Sequence, residues 1–183
     1  MLFRSSELEE TVQREMKRID SIVGGVLRYS RPSSRDFKTI SVHEMLDRAL
    51  TLAHSRFNGR NVTIVSRLAA SPDTIHGDEN HLEQALLNIL LNAADAMSGD
   101  GTLTLETDNI SGRLVQMVIR DTGAGISSEN MAQLFDPFFT TKKNGTGLGL
   151  AITKRIVHEH GGEVSAESEH GKGSAFKILL PAV

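Results

Sequence analysis

One stretch constrains the fold more than any other: Asp78 to Met97, which reads as a single long helix. At about 100° per residue, Leu82, Leu86, Ile89, Ala93 and Met97 form one broad apolar face. Leu87 and Leu91 lie elsewhere on the wheel, so little of the helix is left for water. Asp78 is placed to cap its start. Between the apolar faces runs a narrow stripe of Asn88, Asn92 and Asp95, at i, i+4 and i+7. Such a stripe is either a solvated face or a row of groups awaiting partners. The stripe holds no Lys, Arg or Glu, and buried amides need partners, which favours the second reading. Asparagine carbonyl oxygens suit Mg²⁺, which takes a few protein oxygens together with waters and phosphates.

Three further segments carry chemistry. Asp121-Thr122-Gly123-Ala124-Gly125 follows directly on an alternating strand pattern, Leu114–Arg120. A carboxylate at a strand end only accepts hydrogen bonds, so it suits an exocyclic amine, and the glycines allow close approach to the backbone. Gly145-Thr146-Gly147-Leu148-Gly149-Leu150 opens the next helical pattern. Glycines at a helix start expose N–H groups and the positive dipole end, an arrangement that favours phosphate; a plain flexible loop is the alternative. No Gly-Lys-Ser/Thr follows, and Leu150 stands where a dinucleotide fingerprint needs its third glycine, so neither common phosphate loop is present. Between them, Phe135-Asp136-Pro137-Phe138-Phe139-Thr140-Thr141-Lys142 holds three of the chain's seven phenylalanines. Lys142 either reaches a terminal phosphate or is a solvated lysine.

The remaining pattern organises the chain in two parts. From Glu7 to Ser30, apolar Val12, Met16, Ile19, Val23 and Val26 are spaced 4, 3, 4 and 3, the seam of a helix that packs on other helices. Arg31-Pro32-Ser33-Ser34 ends it as a linker. Ser41 with Glu44 predicts a capping box for a helix to about Phe57. Val62–Leu68 alternates as a strand, Thr102–Thr107 and Leu114–Arg120 form a hairpin about Ser111-Gly112, and Leu148–His160 is a helix. Two strands, Glu163–Ser168 and Ala175–Leu180, follow. The order predicts an α+β fold, helices layered on one face of a mixed sheet, behind an N-terminal helix. A net charge of −3 gives no general attraction for nucleic acid or membrane, and the lack of cysteine excludes disulfides and thiolate chemistry. No apolar run approaches the roughly 18 residues that span a bilayer.

Taken together, Asn88…Asn92, DTGAG, FDPFFTTK and GTGLGLA resemble, in order and spacing, the asparagine, first glycine, phenylalanine and second glycine boxes of sensor histidine kinases. Gly171-Lys172-Gly173-Ser174 resembles the last glycine box, with Ser174 where the family often has threonine. NAADAM with FFTTK is most similar to the nitrogen-regulator-like branch. The resemblance implies the Bergerat ATP fold, a two-layer α/β sandwich, with ATP and Mg²⁺ as cofactors. It implies a partial dimerisation hairpin, its second helix only, over 1–32 and a catalytic ATP-binding domain over 33–183.

By that resemblance Asp121 takes the adenine amine, Asn92 the Mg²⁺, and Asn88 and Lys142 the catalytic positions, with Asp95 beside them. Gly123, Gly125, Gly145, Gly147 and Gly149 give backbone room. Ile126, Phe139, Thr140, Thr141, Thr146, Leu148 and Ser174 complete the nucleotide contacts. ATP-hydrolysing members of the superfamily carry glutamate where this chain has Asn88, and an amide is a poor general base, which fits a domain that saves ATP for transfer.

The family's phosphoacceptor box, H-E-x-x-x-P-like, is not found: His43-Glu44 has Arg48 in place of the proline, and the seven histidines read as surface or structural. The expected partners are therefore ATP/ADP, a dimerisation domain bearing the acceptor, and a response-regulator receiver domain. A homodimer is expected of the full-length protein, with no nucleic acid and no membrane contact by this piece. The expected location is cytoplasmic, any tether lying upstream. Two alternatives share the fold: a serine kinase of the anti-sigma type, against which the hairpin helix argues, and a nucleotide-dependent interaction module.

Overall fold

The computed structural model describes residues 36–57, 59–142 and 145–183, together with Val12, Gln13, Met16 and Gly24. Those four are helical, with Val12 and Met16 exposed. The rest of the expected 7–30 helix and the 31–34 linker lie outside the described residues.

The elements run β1 (Phe37–Ser41), α1 (Val42–Phe57), β2 (Val62–Leu68), β3 (Thr74–Asp78), α2 (Glu79–Ala96), β4 (Gly101–Ile110) and β5 (Leu114–Asp121), then α3 (Ser128–Met131), α4 (Gly149–Glu159), β6 (Glu163–Glu169) and β7 (Gly173–Pro181). Five strands form one sheet in the order β2-β4-β5-β7-β6, with β2 and β4 parallel and the other neighbours antiparallel. β1 and β3 pair antiparallel as a separate ribbon.

Alternation along the strands decides which face is covered. Leu103, Leu105, Val115, Met117, Ile119, Phe176, Ile178 and Leu180 point inward and join one core with α1, α2 and α4. The opposite face carries Glu106, Gln116, Arg120, Ser165, Glu167 and Lys177, which line a shallow depression of about 230 Å³ around Val118 and Ala175. The fold is thus the expected helical layer on one side of a mixed sheet.

α2 is the spine of that layer, packed against α1 on one flank and α4 on the other. All five residues of its expected apolar face are buried, and Ala85, Leu90 and Ala94 join them because the helix is covered from two flanks. Each large aliphatic chain so buried contributes about 1.5–3 kcal/mol. Asp78 caps the helix, its carboxylate accepting the His81 N–H at 3.1 Å. Arg60 closes the other end by donating to the carbonyls of Ala94 and Met97.

Ser41 caps α1, accepting the Glu44 N–H at 3.2 Å. The other half of the expected box is replaced. Glu44 turns to Arg48 at 3.9 Å, and Asp73 accepts from the Ser41 hydroxyl at 2.5 Å and the His43 N–H at 3.2 Å. The carboxylate at the start of α1 is thus that of Asp73, from the turn before β3.

Candidate functional site

The polar stripe of α2 faces the start of α4 and the segment leading into it. Asn88 Nδ2 donates to the Gly149 carbonyl at 3.0 Å and lies 3.5 Å from the Thr153 hydroxyl. Thr153, fully buried, donates in turn to Gly149 at 3.0 Å. The Asn88 amide is therefore occupied in holding α4 against α2. Leu148, the N-cap of α4, offers no side-chain acceptor to the helix's first N–H groups.

Asp121 closes β5 beside the C-terminal end of α2. It is 3% exposed, and its Oδ1 accepts the Gly123 N–H at 2.8 Å. Burial pushes its pKa above the ordinary carboxylate value, against the N–H groups of Gly123 and Ser174, which favour the charged form. Ser174 faces Asp121 across the β5–β7 ladder. The DTGAG turn is fastened to α2 as well, the Ala124 N–H donating to the Ala96 carbonyl at 3.1 Å. Ile126 follows, its N–H given to the Ser168 hydroxyl at 2.8 Å, while Ser168 donates to the Gly173 carbonyl at 2.7 Å.

Two glycines are required by geometry. Gly125 has φ +66°, and a Cβ there would lie 2.2 Å from the Glu169 carbonyl oxygen. Gly147 has φ +68°, with a Cβ 2.3 Å from the Phe138 carbonyl carbon. The space they spare is taken by the chain's own backbone, as is that of Gly123 against Ala96. In the empty fold they let segments of the protein approach one another.

The segment before α4 is held at both ends. Phe135 packs on the core with Lys154 Nζ 5.8 Å above its ring. Phe138 donates its N–H to Gly147 at 3.0 Å and leaves its side chain 61% exposed. Phe139 is half-buried, Thr140 and Thr141 are exposed, and Thr140 accepts the Lys142 N–H at 3.1 Å. Gly145 and Thr146 lead on, Thr146 Oγ1 lying 3.4 Å from the Leu148 nitrogen. Lys142 crosses to α2, its Nζ 2.7 Å from both Asn92 Oδ1 and Asp95 Oδ2.

All of this site lies within residues 77–183, which match the family model described as histidine kinase-, DNA gyrase B-, and HSP90-like ATPase. The chain belongs to this ATPase family. Sporulation kinase C of Bacillus subtilis (strain 168) is 38% identical over 168 residues, covering 91% of this chain and 39% of the kinase. The mycobacterial sensor histidine kinase MprB superposes with a TM-score of 0.71 at 29% identity, over 79% of this chain and 97% of that one. Full-length ShkA, solved in complex with AMPPNP, gives 0.80 at 28% identity, over 94% of this chain and 38% of its own. The chain spans under two-fifths of the length of the curated relatives it matches first. Among the described residues no helix is long and apolar enough to cross a membrane.

Within this ATPase domain the structure brings Asn88, Asn92, Asp95, Lys142 and Gly149 into one group, and Asp121, Gly123, Gly125, Ile126 and Ser174 into another, with the Asp95–Ala96 end of α2 between them. Thr153 and Ser168 support the two groups and were not singled out in sequence. Each is a lone hydroxyl inside an otherwise ordinary helix or strand pattern, and only tertiary contact marks it.

Proposed function

We propose that this chain is the ATP-binding catalytic part of a sensor histidine kinase, residues 33–183 holding the nucleotide and 1–32 belonging to a dimerisation hairpin. The observation that carries the reading is Asn88. The position that faces the start of α4 holds an amide already donating to Gly149, so no carboxylate base stands there to activate water. The relatives' names, sensor histidine kinases among them, support the same reading.

Asp121, buried and acceptor-only when ionised, receives the adenine amine. The N–H groups at the start of α4 face the phosphates. Asn92 presents an amide oxygen to a cation, here the Lys142 ammonium, and such an oxygen fits Mg²⁺ when phosphate and water oxygens supply the rest. When bound, Mg²⁺ supplies charge neutralisation on the phosphates. The bond from the γ-phosphorus to the β,γ-bridging oxygen breaks to leave ADP, and a P–N bond forms to an imidazole of a dimerisation domain, for relay to a receiver domain. The chain's part is to position the nucleotide. A homodimer of the full-length protein, with this domain on the cytoplasmic side, completes the proposal.

The test uses γ-labelled ATP. The chain alone should acquire little acid-labile phosphate, and His43→Gln should change nothing. Added dimerisation domain bearing its histidine should take acid-labile label, slowly because the parts are untethered. Acid-stable label, or label on the chain that vanishes in His43→Gln, would overturn the reading.

A further inference from the structure

Lys142 Nζ sits 2.7 Å from Asn92 Oδ1 and 2.7 Å from Asp95 Oδ2, though it lies 50 and 47 positions away in sequence. Asn92 and Asp95 stand about one turn apart on α2, so one ammonium can reach both. An ammonium has three donors and no acceptor, which suits an amide oxygen and a carboxylate together. The two oxygens differ in what they can hold. Asn92 is neutral, and its oxygen is the one the reading above gives to a divalent cation; a metal ion and an ammonium gathered on that one oxygen repel each other, which favours exchange over sharing. Asp95 carries the charge, and among the described residues Lys142 is the cation paired with it. The side chains of Lys142 and Asp95 are 44% and 40% exposed, so water reaches the pair and it exchanges readily.

We propose that Asp95 is a positioning residue for Lys142: it holds the ammonium across Asn92 while the site is empty, and keeps it tethered beside α2 when Asn92 is given over to a divalent cation. The second half rests on the nucleotide reading; the first stands on the geometry alone. The arrangement makes Asn92 a point of exchange between two cations. Lys142 neutralises Asp95 in the empty chain and is then released, still within reach of that carboxylate, toward the terminal phosphate. Asp95 is in this account not a ligand of the metal. Its effect on phosphoryl transfer comes through Lys142.

The experiment measures acylation of the Lys142 amine in the nucleotide-free chain, located by mass spectrometry, with Lys172 as internal reference. Asp95→Ala should raise the rate at Lys142 roughly two- to fivefold, the scale of an exposed ion pair. Asp95→Glu should restore most of the protection, and the thermal midpoint should stay at the parent value. In calorimetry with ADP, Asp95→Ala should retain or increase the enhancement by Mg²⁺, because the ammonium no longer competes for Asn92, whereas Asn92→Ala should lose it. Equal acylation of Lys142 in the parent and Asp95→Ala would overturn the proposal. So would a loss of Mg²⁺ enhancement in Asp95→Ala as large as in Asn92→Ala, which would make Asp95 a metal ligand. If the parent bound no nucleotide, the nucleotide reading would fall, while the acylation rates would still decide how Lys142 is held.

Discussion

Asp78 donates its backbone N–H to Nε2 of His160 across 3.0 Å, joining the first turn of α2 to the last residue after α4. Because Nε2 accepts, the ring proton resides on Nδ1, which lies 2.7 Å from the Ile156 carbonyl. The ring is thereby neutral, and it stacks on Phe37 at 4.7 Å with 13° between planes. Burial holds its pKa below the ordinary histidine value, against the Ile156 carbonyl and the Asp78 carboxylate, which favour the charged form. One imidazole thus ties β1, α2 and α4 together.

Mild acid should therefore weaken the fold. The folded ring binds fewer protons than the unfolded one, so its contribution is complete above pH 6.5 and is lost as pH falls below that value. Burial pulls both Asp73 and Asp78 upward, but the Ser41 hydroxyl and His43 N–H outweigh it at the first and the His81 and Asp36 N–H groups at the second, so both are held below 3.8. Their contributions are present above 3.8 and disappear only in stronger acid. Urea unfolding at pH 7.5 and 5.5 should show the parent losing stability between the two. His160→Ala should lose about 1–3 kcal/mol at pH 7.5 from the unpaired Asp78 N–H, and should show a shallower pH slope. An equal slope in both proteins would mean that another group titrates.

Asp121→Asn should separate binding from stability. The raised pKa means that ionised Asp121 costs the empty fold free energy, a cost that grows as pH rises above 3.8. Asparagine keeps an oxygen for the Gly123 N–H without the charge. The thermal midpoint at pH 7 should hold or rise, while ATP and ADP affinity falls roughly ten- to hundredfold from a mismatched buried hydrogen bond. Calorimetry on the folded variant giving parental affinity would remove Asp121 from the adenine contact.

Gly147→Ala should disturb the start of α4 without unfolding the sheet. Alanine at φ +68° costs about 1–2 kcal/mol, and its Cβ must also displace Phe138. Nucleotide affinity should fall, with the core transition in thermal unfolding still cooperative. Parental affinity in this variant would show that the Phe138–Gly147 contact does not shape the site.

The long helix, the β4–β5 hairpin and the last two strands were legible because each declares itself through local periodicity: Leu82 to Met97 by the helical repeat, Leu114 to Arg120 by alternation. β1 and β3 were not. Thr74-Ile75-His76-Gly77-Asp78 has little alternation, and its partner Phe37–Ser41 is set by pairing over more than 30 positions. The residues of the candidate site were legible by type, since an acid at a strand end or glycines before a helix carry chemistry wherever they occur. Their partners were not. Nothing near Asn88 announces Gly149, and nothing near Lys142 announces Asp95, because those contacts depend on how α2 and α4 pack.

The bond from Ala124 to the Ala96 carbonyl fastens the DTGAG turn to buried helix, whereas Lys142 meets α2 through a water-washed ion pair. On the proposed reading, a nucleotide meets two boundaries of different stiffness. The base enters a wall built before it arrives, so the choice among bases is made by shape and by one carboxylate. The phosphates meet a border that is redrawn around them, so a diphosphate and a triphosphate can share the same seat and still leave the protein in different states.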